Sequence, residues 1–359
     1  MTLKQKYIGI MAAIAVLSTA LFFLFSPVSL SKTIVGEPRV LGERMENLAE
    51  PAPSEIFAPS ASILHVGDIM IDRNVKKRID KFGEEYLLGA LAEQDFFSGA
   101  DVVAGNLEGP FADSRRKTTK EIAFRFDPAL LPMLTQYGFS LFSTANNHSL
   151  DMSRKGLAES IKHLADAGVS YYGGDGYTVK DDSLLFKDIN GIRLAFVGVN
   201  ETFQSMNVKK TLELLRKGEQ EADHTIVNIH WGAEYKPLSN TKQRTLAHQF
   251  IDAGADVIIG HHPHVVQEVE IYKDRPVFYS LGNFIFDQYF SPETQQGLAV
   301  KTVFSSGTLA LTLYPLQSVE SQVKKMEGVA AEEFMKKLFE RSRLGEYVVG
   351  EEFSLKLDT

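Results

Sequence analysis

From residue 61 onward, short apolar runs alternate with helix-like stretches, and one apolar run after another stops at a polar residue. Runs at 63–66, 101–104, 139–144, 224–229 and 257–259 have strand length. They lead into Gly67-Asp68, Gly105-Asn106, Asn146-Asn147-His148, His230 and Gly260-His261-His262. Helical spacing lies between them at 84–97, 128–137, 153–167 and 241–253. Pro128 sits in a first turn, Ser153 reads as an N-cap, and Gly168 and Gly254 read as stops. Asn190-Gly191 joins runs 184–189 and 192–197 and predicts a hairpin. Runs at 265–272, 277–280, 298–304 and 309–316 add strands, and 330–343 adds a late helix. The alternation predicts an α/β architecture, with sheets made mixed by the later hairpins.

Ligands of open α/β folds bind outside the carboxyl ends of the strands. That edge would gather Asp68, Glu108, Asn147, His230, His262 and His264 from distant parts of the chain. Two carboxylates, an amide and three imidazoles are the donor set of a mixed nitrogen and oxygen site for Mn, Fe, Zn or a similar divalent ion. The chain has no cysteine, so thiolate zinc sites, iron–sulfur clusters and disulfides are excluded. Five of the nine histidines lie between His230 and His264. Taken singly, each strand-end residue reads as a turn cap; their repetition at one kind of position is what points to metal. One or two ions there would acidify a water, with His148 protonating a leaving group. His65, His163, His224 and His248 sit inside elements and read as bystanders, while His261 is either an outer partner of the site or only a neighbour.

The beginning of the chain differs from the rest. Lys4 and Lys6 precede an uncharged run over residues 7–31. As a helix it would reach roughly 37 Å, enough for a hydrocarbon core of about 30 Å. The lysines predict residues 1–6 in the cytoplasm and the main domain outside the cell, on a single-pass anchor. Residues 32–60, broken by Pro38, Pro51, Pro53 and Pro59, read as a flexible tether, and 61–359 as one large domain. The first sixty residues carry five basic and five acidic side chains, so the net −8 belongs wholly to 61–359. An acidic domain argues against nucleic acid as a partner.

Six segments recur in a recognisable order: Val66-Gly67-Asp68-Ile69-Met70, Gly105-Asn106-Leu107-Glu108, Ala145-Asn146-Asn147-His148, His230-Trp231-Gly232-Ala233-Glu234-Tyr235, Gly260-His261-His262-Pro263-His264-Val265-Val266 and 279–287, which holds Gly282-Asn283 and Asp287. Over about residues 61–305 the chain resembles the CapA family of poly-γ-glutamate capsule biosynthesis proteins, a branch similar to the calcineurin-like metallophosphoesterases. The resemblance implies a sandwich of two mixed β-sheets flanked by helices. It makes Asp68, Asn147, His230, His262 and His264 metal ligands and His148 the residue that assists the leaving group. Met70 stands where the superfamily has a histidine. Glu108, with Asn106 beside it, is the nearest candidate for the bridging aspartate.

For substrate, Arg125 between Phe124 and Phe126 is the single best anion-binding candidate, with Asn106 and the Asn283 loop as polar contacts. Arg115, Arg116, Lys117 and Lys120 form a basic loop that would attract a polyanion or simply be solvated. Trp231 walls the pocket or joins the core, and Asp287 caps a turn. The expected partners are poly-γ-glutamate or another anionic polymer, membrane synthase or export subunits, and the lipid bilayer through the N-terminal helix. Two roles fit: a part in capsule synthesis and export, and a metal-dependent hydrolase of phosphoesters or polyglutamate amides outside capsule assembly.

Overall fold

The computed structural model describes residues 59–202, 206–305, 307–347, 350 and 353–358. The anchor expected at 7–31 and nearly all of the tether lie outside them. Among the described residues, no helix is long and apolar enough to cross a membrane.

Among the described residues, nine strands make the first sheet. In spatial order it runs β14 (Gln322–Lys325), β13 (Thr308–Val319), β12 (Gln296–Ser305), β1 (Ser60–Ile69), β2 (Val102–Leu107), β3 (Phe139–Ser143) and β4 (Ser170–Tyr172). Two short strands lie off this path: β11 (Asn283–Ile285) on the end of β1, and β15 (Ser354–Asp358) on β13. The second sheet runs β5 (Leu184–Ile189), β6 (Ile192–Asn200), β7 (His224–His230), β8 (Val257–His261), β10 (Arg275–Phe278) and β9 (Val269–Tyr272). Both sheets are mixed as expected. β1 to β4 run parallel and β12 turns antiparallel beside β1; β6, β7, β8 and β10 run parallel between antiparallel edges. The predicted hairpin is β5–β6, whose Asn190 and Gly191 both have positive φ (51° and 85°), as a two-residue turn of matching twist requires.

Side-chain alternation sorts the apolar residues into layers. Leu194 and Phe196 of β6 join Ile63 of β1 and Leu141 of β3 in the core between the sheets, while Val197 and Val199 face outward. The outer face of the first sheet packs on α1 (Arg73–Phe82), α2 (Gly89–Ala92), α3 (Leu131–Thr135) and α4 (Ser153–Asp166). That of the second packs on α5 (Val208–Glu221) and α6 (Thr241–Ile251). The last helix, α7 (Gly328–Arg341), sends Phe334, Met335 and Leu338 into the core between the sheets.

Some local expectations change. The helix expected over 84–97 is only a single turn at Glu84–Tyr86 followed by α2. The carbonyl of Leu87 accepts from Val323 N (2.9 Å) beside β14, so it is not available to a helix, and Gly89 weakens the helical preference. Ser153 does not cap α4; it opens the helix at φ 65°, after Met152. The run at 265–272 forms a strand only over β9; its first half makes a single antiparallel bridge, Val266 to Leu281, as the chain leaves the histidine loop. Helices α1 and α5 have no counterpart in the expectations. α1 is highly polar and buries only Val75 and Ile79.

The chain crosses from the second sheet to the first between β10 and β11, and two glycines make room for it. A side chain at Gly67 of β1 would meet Gly282 O at 2.0 Å, and one at Gly260 of β8 would meet Tyr279 O at 2.0 Å. The backbones bond there instead: Asp68 N donates to Gly282 O (3.0 Å) and Leu281 N to Gly260 O (3.1 Å). The strand ends that carry Asp68 and His261 are thereby held against one crossing segment.

Candidate metal centre

Asp68 lies at the middle of this junction and is fully buried. Its Oδ1 accepts from Asn106 Nδ2 (2.8 Å) and its Oδ2 from the backbone N of His262 (3.3 Å). His261 Nδ1 is 3.2 Å from Oδ1, and His264 Nδ1 is 3.3 Å from Oδ2. Burial pushes the carboxyl upward, but His261 and His264 outweigh it and hold Asp68 well below the usual carboxylate range. Asp68 is therefore an anion.

Glu108 is the opposite case. It is fully buried, and neither carboxylate oxygen has a hydrogen-bond partner among the described residues. Its nearest polar neighbours are His264 Nε2 at 3.7 Å and His148 Nε2 at 3.9 Å. Burial first, then the charges of Asp68, Glu234 and Asp151, raise it well above the usual range, and Arg73 opposes them only in part. A buried carboxylate left unpaired beside a second one is strongly unfavourable unless a cation joins them.

The imidazoles are suited to complete such a site. Burial first, then His262, pushes His230 well down, and burial and His264 push His262 down to about 3, so both rings are neutral and keep a lone pair for a metal. Asp68, Glu108 and His264 offer one donor atom each within 4.8 Å of one another, and Glu234, His262 and His264 form an adjoining group on the same terms. Asn147 Oδ1 meets His230 Nε2 at 2.8 Å beside them. The residues present thus fit one or two divalent ions in donor type and in unmet charge. His262 (φ 97°) and His264 (φ 57°) hold left-handed backbone on either side of Pro263, an unfavourable conformation for non-glycine residues, confined here to the ligand loop.

His148 faces the same space. Its Nδ1 bonds Asp151 Oδ2 (2.6 Å), and its ring packs 4.2 Å from that of Phe124. Asp151 in turn accepts from Phe124 N (2.7 Å) and Lys120 Nζ (2.6 Å). Burial lowers the pKa of His148 more than Asp151 raises it, so Nε2 faces the site unprotonated.

The expected ligands Asp68, Glu108, Asn147, His230, His262 and His264 lie together with His148. The three residues expected to touch substrate lie differently. Asn106 is buried and fully engaged: its amide donates to Asp68, meets His230 Nδ1 at 3.3 Å, and accepts from Asn146 Nδ2 (3.0 Å). Asn283 Oδ1 bonds His264 Nδ1 (3.0 Å), while its Nδ2 donates to Gln288 Oε1 (3.0 Å) and Thr294 O (2.9 Å). Both amides therefore orient ligands, because every polar atom they have is committed to the protein. Arg125 is outside the cluster, with its guanidinium on the carbonyls of Ala112 (2.7 Å) and Asp113 (3.1 Å). The basic loop is likewise tied into ion pairs, Arg115 to Asp72, Arg116 to Glu159 and Lys120 to Asp151.

Met70, where the resemblance has an imidazole, packs in the outer core, and its sulfur accepts from Asp72 N (3.2 Å). Trp231 is a core residue, stacked on Tyr279 and donating to Tyr279 O (2.8 Å). His261 is an outer partner of Asp68, with its Nε2 set by Asn228 Nδ2 (3.1 Å). The bystanders are spoken for elsewhere: His65 meets Thr302 Oγ1, His163 Asp113, His224 the Phe304 ring and His248 Glu270. Residues with no assigned role in the sequence also reach the site: Asp151, Glu234, Tyr235 and Arg73. Glu234 and Tyr235 stood in the His230 motif, so their neighbourhood was visible there; Arg73 gave no signal beyond its closeness to Asp68 in sequence.

The family model for the bacterial capsule synthesis protein PGA_cap matches residues 62–288. A capsule biosynthesis protein CapA of Bacillus anthracis is 33% identical over 281 residues, covering 72% of this chain and 68% of its own. A PGA biosynthesis protein CapA of Bacillus subtilis is 30% identical over 280 residues, covering 72% and 73%. A phosphatase of Mycoplasma pneumoniae with a known crystal structure aligns with 76% of this chain and 92% of its own, at 14% identity and a TM-score of 0.45.

Proposed function

Because the chain belongs to the PGA_cap family of bacterial capsule synthesis proteins, we propose that it serves poly-γ-glutamate capsule synthesis and export as a membrane-anchored, outward-facing metalloprotein that hydrolyses a bond in an anionic substrate. The observation that carries the metal is Glu108: a buried carboxylate with no partner, next to an ionised Asp68 and neutral imidazoles. Asp68, Glu108 and His264 would hold one ion, and Glu234 and His262, sharing His264, a second; Asn147 and His230 flank both groups. A divalent ion so held polarises the scissile carbonyl or phosphoryl oxygen and acidifies water. His148 would take at Nε2 the proton that the attacking water gives up, Asp151 would steady the resulting imidazolium through Nδ1, and the proton would pass to the leaving group as its bond breaks. Asn106 and Asn283 keep Asp68 and His264 turned toward the donors they share. The uncharged run over residues 7–31 behind Lys4 and Lys6 supports the anchor and the outward orientation of the domain.

The test is elemental analysis of the purified full-length chain after incubation with Mn, Fe or Zn, followed by assays on phosphodiesters and on poly-γ-glutamate. At least one equivalent of bound metal and turnover of one substrate class are expected. A folded protein that takes up no metal overturns the metal centre. Metal without turnover leaves a non-catalytic subunit of capsule assembly, and full capsule output from cells carrying an Asp68/His264 double substitution removes any required role for the site.

A further inference from the structure

The segment Asn283–Gln288 does more than close a sheet. Three of its side chains each reach to a different group at the mouth of the metal centre. Asn283 orients His264. Asp287 accepts from Arg73 Nε (3.1 Å), binds Arg73 Nη2, and accepts from Asn74 N (3.2 Å) at the start of α1. Gln288 ties back to Asn283 through Oε1 and donates through Nε2 to the hydroxyl of Tyr235 (3.2 Å). A ligand imidazole, a guanidinium and a phenol are thus held by one short stretch of chain.

Arg73 is well placed for an anion. Asp287 grips two of its nitrogens, which leaves Nη1 without an acceptor among the described residues. The guanidinium lies 5.0 Å from the centre of the Phe124 ring, which also packs on the His148 ring at 4.2 Å. It is one aromatic ring away from the proton-transfer residue, its side chain is 37% exposed, and its backbone adopts φ 52° to hold it there. Tyr235 lies on the side of His264, 6.2 Å between ring centres, and is itself steadied by Phe290 at 5.2 Å. It too holds a left-handed backbone, at φ 62°.

We propose that Arg73 and Tyr235 form the substrate subsite of this centre: the free Arg73 nitrogen, joined by the Tyr235 hydroxyl once Glu234, which that hydroxyl bonds here, turns to the ion, grips an oxyanion of the substrate, a carboxylate or a phosphoryl group, next to the bond presented to His148. The proposal rests on the hydrolytic reading of the site above. It replaces Arg125 as the anion-binding arginine, since Arg125 spends its guanidinium on backbone carbonyls.

The experiment is calorimetric titration of the full-length protein, loaded with the metal it accepts, with hexa-γ-glutamate and separately with inorganic phosphate. Arg73→Gln should weaken the probe that binds by about tenfold or more, as expected for the loss of one charge-assisted pair, and Tyr235→Phe by about threefold. Metal content should stay at the wild-type value in both variants, and a rise in KM should exceed any fall in kcat. Whichever probe shows the loss identifies the oxyanion. Wild-type affinity in a folded Arg73→Gln variant overturns the proposal; if that variant does not fold, wild-type affinity in Tyr235→Phe does so. Absence of binding by wild type to either probe overturns it as well. Loss of metal uptake by the wild type is a separate result that strikes the hydrolytic reading.

Discussion

The two ends of the parallel strands are built from the same residue types and are treated oppositely. At the amino ends, each acid finds its partner. Asp256 accepts from Thr225 N (2.8 Å) and Arg275 Nε (2.9 Å). Asp223 accepts from Arg193 N (2.7 Å), and Asp101 from Ser62 and Asn190. At the carboxyl ends, Glu108 has no partner among the described residues, while Asp68 is held by Asn106, the backbone N of His262 and the imidazoles of His261 and His264. A fold able to satisfy acids at one edge leaves one of them, Glu108, unmet at the other. The difference marks the edge at which the proposed cation would supply the missing partner.

The largest expected break in this contrast is at His148. His148→Ala should lower turnover by about a hundredfold to ten-thousandfold while metal content holds, as measured by steady-state kinetics and elemental analysis. Next, Asn283→Ala frees His264 from its orienting amide and should weaken metal binding by about ten- to a hundredfold in a competition titration with a chelator.

Glu108→Gln should have two opposite consequences: weaker metal binding, and a metal-free protein about 1–3 kcal/mol more stable in urea at neutral pH. The sign follows from the raised pKa. Folded Glu108 keeps its proton where an unfolded glutamate, near 4.5, has lost it, so this group removes stability as pH rises above that value. The advantage of Glu108→Gln over the metal-free wild type should vanish near pH 4.5 and grow toward neutrality. A pH-independent difference would mean that Glu108 is not forced to ionise against its surroundings. The smallest effect belongs to the satisfied edge: Asp256→Asn should cost about 1 kcal/mol and leave metal content unchanged.

Much of the site was legible because strand ends announce themselves. An apolar run that stops at a polar residue, with or without a glycine between, places Asp68, His230 and His262 on one edge without any coordinates. Residue type does not reveal what a side chain spends its polar atoms on. Asn106 and Asn283 look like substrate contacts in sequence, yet the fold commits them to ligands, and Arg125 is lost to two carbonyls 12 and 13 residues away. Arg73 escaped notice because its function depends on Asp287, 214 residues later. In the scaffold, the longer β strands and the Asn190-Gly191 turn were readable from local pattern, while the short strands β4, β11, β14 and β15 were not. α1 was not read, although Val75, Ile79 and Phe82 recur at helical spacing, because its other seven residues are all polar and the stretch passes for a solvated loop.

The close backbone contacts at Gly67 and Gly260 make the spacing of the metal donors a property of how the two sheets are joined. Carbonyls and amides set that distance, and side chains only occupy it. The chain can therefore exchange one kind of donor for another without the opening between them collapsing. Met70 turns into the apolar core at the position where the sequence resemblance implies an imidazole, while Asp68, two residues away, keeps its place against Gly282. A junction of this sort fixes where a donor can stand and leaves open which residue stands there.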